Sequence, residues 1–183
     1  MSRVTLIDPA SATPAAAEQL DAVKKALGVV PNVAKALANS PDALKGYLGL
    51  HGALGGGSLS AADRERVALA VAEVNGCDYC LAAHTYVAAN VAQVGEDEIV
   101  AARRGTSTDP RSAAVVGLAV KVTEARGALA DEDLAKAREA GLSDAEIVEV
   151  IAGVALNVLT NYVNNALDVD IEWPVAKPLA ELV

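Results

Sequence analysis

Apolar positions in this chain fall into blocks opened by Ser, Thr, Asp or Pro and closed by Gly or Asn, which is the punctuation of helices. Thr13 before Pro14 predicts a capped helix over 14–27, closed by Gly28. Pro31-Asn32 starts a short helix to about Asn39, and Ser40-Pro41 repeats the cap-plus-proline signal ahead of a helix over 42–54. Gly55-Gly56-Gly57 reads as a hinge. Ser60 with Asp63 is a capping-box variant that opens a helix to about Val74. Asn75-Gly76 interrupts it, and a further helix continues to about Val94. Helices are also predicted over 96–104, from Pro110 to about Arg126, over 131–140, and from the Ser143/Glu146 capping box to about Leu167. Strand-like alternation is missing apart from a hint at Val4–Ile7, and residues 168–183, with Pro174 and Pro178, read as an extended tail. The pattern describes one all-α domain over residues 1–183.

Composition sharpens this picture. Hydrophobic residues make up 52 % of the chain, mostly Ala, Val and Leu, while aromatics are 3 % and Phe is absent. Small side chains let helices approach closely but bury little area each, so the core must come from many helix contacts, with oligomerisation as a further source. The net charge of −9 argues against nucleic acid and anionic membranes as partners. No segment reaches about 18 uninterrupted apolar residues, so no membrane span is expected. The longest apolar runs, near 113–120 and 147–154, are interrupted by Lys121, Glu146 and Glu149. The N-terminal residues lack the apolar core of a secretory signal, which leads us to expect a cytoplasmic, reducing location.

Candidate chemistry concentrates in one stretch. Both cysteines and one of the two histidines lie in Cys77-Asp78-Tyr79-Cys80-Leu81-Ala82-Ala83-His84. On a helix these three groups sit at i, i+3 and i+7, on successive turns of one face. Two thiols one turn apart can close a disulfide, and C-x-x-C in a reducing compartment points to redox or metal chemistry. If the chain folds back at Asn75-Gly76, Glu65, ten positions before Asn75, meets His84, nine after it. A straight helix would instead hold them ~28 Å apart. The candidate relay is therefore Glu65–His84–Cys80, with Cys77 beside it.

Two effects compete to choose the nucleophile. Cys77 lies nearer the helix N-terminus, which favours a thiolate; Cys80 has His84 one turn away. Lowering a thiol pKa by about 2 units gains roughly 25-fold in thiolate, but a Brønsted slope of about 0.4–0.5 removes close to tenfold in nucleophilicity. Protonating a leaving group supplies a further 10²–10⁴, roughly, so proton delivery decides in favour of Cys80.

Glu65, eleven residues, Cys77-Asp78-Tyr79-Cys80, three residues and His84 together resemble the AhpD-type alkylhydroperoxidases, in the peroxidase-related branch of the carboxymuconolactone decarboxylase-like superfamily. Val30-Pro31-Asn32 and the segment from Asn157 to Asn164 resemble the same branch, so the likeness spans about residues 29 to 174. Relatives often carry His where Asn165 stands, and some carry it at Tyr79. The resemblance implies an AhpD-like helical fold, with a core at about 29–167 and the C-x-x-C at a helix N-terminus after a helical hairpin turn. It implies that Cys80 attacks a hydroperoxide, that Cys77 resolves the product to a disulfide, and that His84 and Glu65 relay protons. An unidentified thiol or dithiol would regenerate the pair, with no cofactor beyond the disulfide and no metal. It also implies a homo-oligomer, a trimer or hexamer.

Other readings of the same residues stay open at this point. They are a thiol–disulfide oxidoreductase serving a partner protein, a redox sensor, and a zinc module using Cys77, Cys80 and His84, with Glu65 as fourth ligand. Glu73 and Asn75 are expected to shape the turn by bonding free backbone N–H groups, and Tyr79 and Tyr86 to pack or line a pocket. Asn157, Asn161 and Asn164, with Thr160 nearby, read as an amide-rich subunit contact, and His51 as a helix-surface or interface residue. Glu96-Asp97-Glu98 reads as charge complementing a helix dipole.

Overall fold

The structure is a computed structural model that describes residues 1–182. Helices follow one another as α1 (Pro14–Leu27), α2 (Asn32–Leu37), α3 (Pro41–Gly55), α4 (Ala61–Val74), α5 (Asp78–Asn90), α6 (Glu96–Arg103), α7 (Pro110–Glu124), α8 (Asp131–Glu139) and α9 (Asp144–Leu167), with a short 3₁₀ turn at Leu179–Glu181. Among the described residues there is no strand. The hint at Val4–Ile7 is instead an extended segment whose Val4 and Leu6 pack over the cysteines, while the Ile7 N–H is held by the Lys35 carbonyl at 3.2 Å.

Five helix starts are fixed by local hydroxyl or carboxylate caps. Thr13, Ser40, Ser60, Asp109 and Ser143 each accept the N–H of the residue three positions on, satisfying a donor the helix leaves unpaired. Helix ends are less faithful to the sequence pattern. α5 stops at Asn90 rather than near Val94, because Gln93 adopts a left-handed backbone (φ 56°) that turns the Val94 N–H back to the Ala88 carbonyl at 2.9 Å.

α4 is the hub of the fold. Every residue from Val67 to Ala72 is buried, as expected for a helix that is apolar all round once past its charged first turns. Its narrow Ala-rich surface lets α5, α6, α7 and α9 pack around it. Val67 and Val71 meet Val115 and Ala119 of α7 and Ile147, Val150 and Val154 of α9 in the largest apolar cluster. On another side Leu69 packs with Ala88 of α5 and Ile99 of α6. α1 to α3 form a second apolar cluster around Leu20, Leu37 and Leu44, and α3 and α2 rest against α9. By length and composition α9 could cross a membrane, with a mean hydropathy of 1.4. Here it packs against α2, α3, α4, α5, α7 and α8.

A candidate active site at the cysteine turn

The chain reverses between α4 and α5 through a turn that its residue types require. Asn75 ends α4 by donating its N–H to the Val71 carbonyl, and Gly76 takes a left-handed φ of 58°, which costs a residue without a Cβ nothing. Cys77 then donates its N–H back to the Ala72 carbonyl at 3.0 Å. Cys77 is itself the N-cap of α5: its Sγ accepts the Cys80 N–H at 3.2 Å, where a hydroxyl would ordinarily stand. Cys77 and Cys80 are joined as a disulfide, with Cα atoms 5.2 Å apart. Both are fully enclosed, at 0 % and 2 % exposure, among Ala36, Ala72, Tyr79, Leu81 and Val169.

The hairpin also brings Glu65 to His84. The carboxylate Oε2 lies 2.8 Å from Nδ1 of the ring. A carboxylate accepts, which places the proton on Nδ1 and leaves Nε2 as the basic nitrogen; no hydrogen bond to Nε2 exists among the described residues. The pair faces a cavity of about 270 Å³, lined by Tyr47, His51 and Leu54 of α3, Glu65 and Ala68 of α4, His84 and Val87 of α5, and Leu156, Asn157 and Thr160 of α9. Neither cysteine lines it.

Several sequence expectations are corrected by these neighbours. Glu73 does not bond the turn; its carboxylate accepts from the Arg103 Nε at 2.7 Å, and the buried Arg103 guanidinium also donates to the Lys177 carbonyl at 2.9 Å. The turn has no need of Glu73's side chain, since the carbonyls of Val71, Ala72 and Glu73 already accept its N–H groups. The Asn75 side chain donates to Asn161 Oδ1 at 2.8 Å rather than accepting a backbone N–H. Asn161 and Asn164 are not surface amides awaiting a subunit. They are 0 % and 4 % exposed, and Asn164 Nδ2 donates to Cys80 Sγ at 3.3 Å. Asn165 donates to the Asn75 carbonyl at 3.1 Å, so three asparagines of α9 grip the turn that carries the cysteines.

His51 stands in the cavity wall. Its ring lies 5.9 Å from that of Tyr47, and burial pushes its pKa down while the charge of Glu65 pulls it up. Burial and the same carboxylate push Tyr47 up to about 12. The only sequence signal for this pair was their i, i+4 spacing on one helix. Gly57 is more than a hinge: a Cβ there would fall 2.7 Å from the Glu149 carboxylate, which accepts the N–H groups of Ser58 and Leu59. Glu98 does more than complement a dipole, accepting from Ser107, Thr108 and Arg66. Tyr79 and Tyr86 do pack. The Tyr79 hydroxyl accepts the Val33 N–H at 3.2 Å and donates to Glu172 Oε1 at 2.7 Å, while the Tyr86 ring lies tilted against Trp173 with centroids 5.4 Å apart.

Comparison with known proteins places this arrangement. The sequence pattern of the Carboxymuconolactone decarboxylase family matches residues 41–125, which hold Glu65, Cys77, Cys80 and His84. The fold matches an uncharacterized peroxidase-related protein with an alkylhydroperoxidase AhpD core from Ralstonia eutropha JMP134, with a TM-score of 0.83 and 26 % identity over 93 % of this chain and 92 % of that one. The chain has an AhpD-like fold, and its residues 41–125 carry the pattern of the Carboxymuconolactone decarboxylase family. A second peroxidase-related protein, from Silicibacter sp. TM1040, matches this AhpD-like chain with a TM-score of 0.78 and 26 % identity, over 92 % and 91 % of the two chains. The debrominase Bmp8, in a complex with 2,3,4-tribromopyrrole, shares the AhpD-like fold with a TM-score of 0.77 at 20 % identity, over 94 % of each chain. No curated protein matches the chain in sequence.

Proposed function

We propose that this AhpD-like protein is a thiol-dependent peroxidase that reduces hydroperoxides by cycling Cys77 and Cys80 between dithiol and disulfide. The observation that carries the reading is the Glu65–His84 pair, 2.8 Å apart, one helical turn from Cys80 and open to a cavity. In the first step the Cys80 thiolate attacks the terminal peroxide oxygen. A Cys80 S–O bond forms, the O–O bond breaks, and the departing alkoxide takes a proton from His84, leaving a sulfenic acid and an alcohol. In the second step the Cys77 thiol attacks the Cys80 sulfur and expels water, and the disulfide forms. A thiol or dithiol reductant returns two electrons and two protons. Glu65 supports the charge that His84 carries when protonated. No cofactor other than the disulfide and no metal takes part in these steps.

A thiol–disulfide oxidoreductase would use the same residues, and rapid reduction of protein disulfides with negligible peroxide consumption would favour that reading instead. The two-electron cycle needs a reducing compartment, and the cytoplasm supplies one. The net charge of −9 disfavours nucleic acid and anionic membranes as partners.

A homo-oligomer, trimeric or hexameric, belongs to the same reading. Val148, Ile151, Ala155, Leu159, Tyr162 and Ala166 form an exposed apolar stripe along α9 at steps of three and four residues, the pattern of a helix that pairs with another. Gly46, Gly49 and Gly52 leave the neighbouring α3 bare and open to close approach.

The test of the chemistry is stoichiometric. Reduced protein treated with an organic hydroperoxide is expected to lose both thiols together, while Cys77→Ser stops at a sulfenic acid on Cys80. Full peroxide turnover by Cys80→Ser would end the assignment.

A further inference from the structure

Asn164 is buried against the disulfide, yet only half of its amide is used. Nδ2 donates to Cys80 Sγ at 3.3 Å, and Oδ1 has no partner among the described residues. A buried amide oxygen left unpaired is costly and calls for a physical account. The chemistry of the neighbouring sulfur supplies one. A disulfide sulfur can only accept a hydrogen bond, a thiolate accepts more strongly, and a thiol can also donate. By turning about its terminal bond, the Asn164 amide can present Nδ2–H to a Cys80 thiolate or Oδ1 to a Cys80 thiol. Only a thiol engages the oxygen; the disulfide and the thiolate both take Nδ2–H.

We propose that Asn164 is the group that holds the attacking sulfur, stabilising the Cys80 thiolate through Nδ2–H and thereby favouring Cys80 over Cys77. The inference deepens the peroxidase reading and rests on it for the role of Cys80. Its placement is rigid. One turn earlier on α9, Asn161 accepts from the Asn75 side chain at 2.8 Å, and Asn165 donates to the Asn75 carbonyl, so α9 is clamped to the cysteine turn on either side of Asn164. Cys77 has a different donor, the Cys80 backbone N–H, together with the N-terminus of α5. Each sulfur thus has its own hydrogen bond, and Asn164 acts on one of them only.

The titratable groups around the pair are His84 with Glu65, Tyr79 with Glu172, and the exposed Asp78; the other contacts are the apolar Ala36, Ala72 and Val169. None of these changes when Asn164 is replaced, so a difference between variants reports the amide.

The experiment measures the pH dependence of alkylation of a single thiol. Cys77→Ser leaves Cys80 alone, and Cys80→Ser leaves Cys77 alone. Into each goes Asn164→Ala or Asn164→Leu, the latter close to Asn in shape and free of the orphaned carbonyl, so that it preserves packing if the alanine loosens the fold. The Cys80 midpoint should rise by about one unit in both, a roughly tenfold loss of thiolate at neutral pH, as removal of a hydrogen bond to a charged group implies. The Cys77 midpoint should stay where it was. An unmoved Cys80 midpoint, or equal movement of both thiols, would overturn the proposal. Alkylation needs no peroxide, so absence of peroxide turnover would sink the peroxidase reading and leave this result standing.

Discussion

Replacing Glu65 by Gln isolates the charge of the relay from its shape. Gln keeps a carbonyl oxygen where Oε2 stands 2.8 Å from Nδ1, so the ring stays in place and in the same tautomer while the formal charge goes. Charge centres of a carboxylate and a protonated imidazole in this geometry lie about 4 Å apart, which gives ~4 kcal/mol at an effective dielectric of about 20. His84 and Glu65 are 27 % and 19 % exposed, so screening by water leaves about half, ~2 kcal/mol. That energy is felt only when His84 carries its proton toward the departing oxygen, so it belongs to the transition state. The expected result is a fall of roughly 30-fold in the second-order rate of thiol loss with an organic hydroperoxide, followed by stopped flow at pH 7. His84→Ala should lose roughly 10²–10⁴. The double variant should be no slower than His84→Ala alone, because Glu65 acts through the ring. A Glu65→Gln rate within threefold of wild type, with His84→Ala severely impaired, would refute the argument that the carboxylate charges the relay.

Other perturbations have outcomes set by single contacts. Arg103→Met removes a buried guanidinium that holds Glu73 and the Lys177 carbonyl, and should lower the urea-unfolding free energy by about 2–3 kcal/mol, since Glu73 is left half-buried without its partner. Burial alone would raise the pKa of Glu98, but hydrogen bonds from Ser107 and Thr108 and the charge of Arg66 outweigh it and hold the carboxyl at about 2 against an ordinary 4.5. Its folded pKa is depressed, so its contribution is complete above 4.5 and disappears as the pH falls toward 2. Urea midpoints of wild type and Glu98→Gln should therefore differ at pH 7 and converge near pH 2. Tyr79→Phe deletes the hydroxyl that joins Val33 to Glu172, and should cost about 1–2 kcal/mol while making residues 170–178 more susceptible to limited proteolysis.

What the sequence made legible was what it encodes locally. The caps at Ser40, Asp109 and Ser143 are written within four residues of the helix starts they fix, and the bend at Asn75-Gly76 needed only those two residues. From that bend alone the meeting of Glu65 and His84, nineteen positions apart, could be anticipated. Helix ends such as those of α5 and α7 were missed by two to four residues because Gln93 and Arg126 adopt left-handed φ values without being glycine. Partners far along the chain were out of reach. Nothing near Glu73 announces Arg103, thirty residues on, and nothing near Cys80 announces Asn164, eighty-four residues on. Both are polar residues whose type predicts exposure, and only the pairing explains why they are buried.

The orientation of α9 could not be read from its pattern. Most of its turns carry apolar residues on both sides, so hydrophobicity does not say which face is the inner one. In its second half the protein turns the amide face inward, to hold the cysteine turn, and leaves Leu159 and Tyr162 outside at 41 % and 60 % exposure. A stripe that is apolar yet outward, on the longest helix, is satisfied when another copy of the chain covers it. Leu159→Glu together with Tyr162→Glu should then convert the proposed oligomer to monomers in sedimentation velocity at micromolar concentration. Helical circular dichroism should be unchanged, because neither side chain packs in the protomer's own core. Unaltered sedimentation of the charged variant would show that the stripe is not the interface, and a monomeric wild-type protein would remove the oligomer from the proposed function altogether.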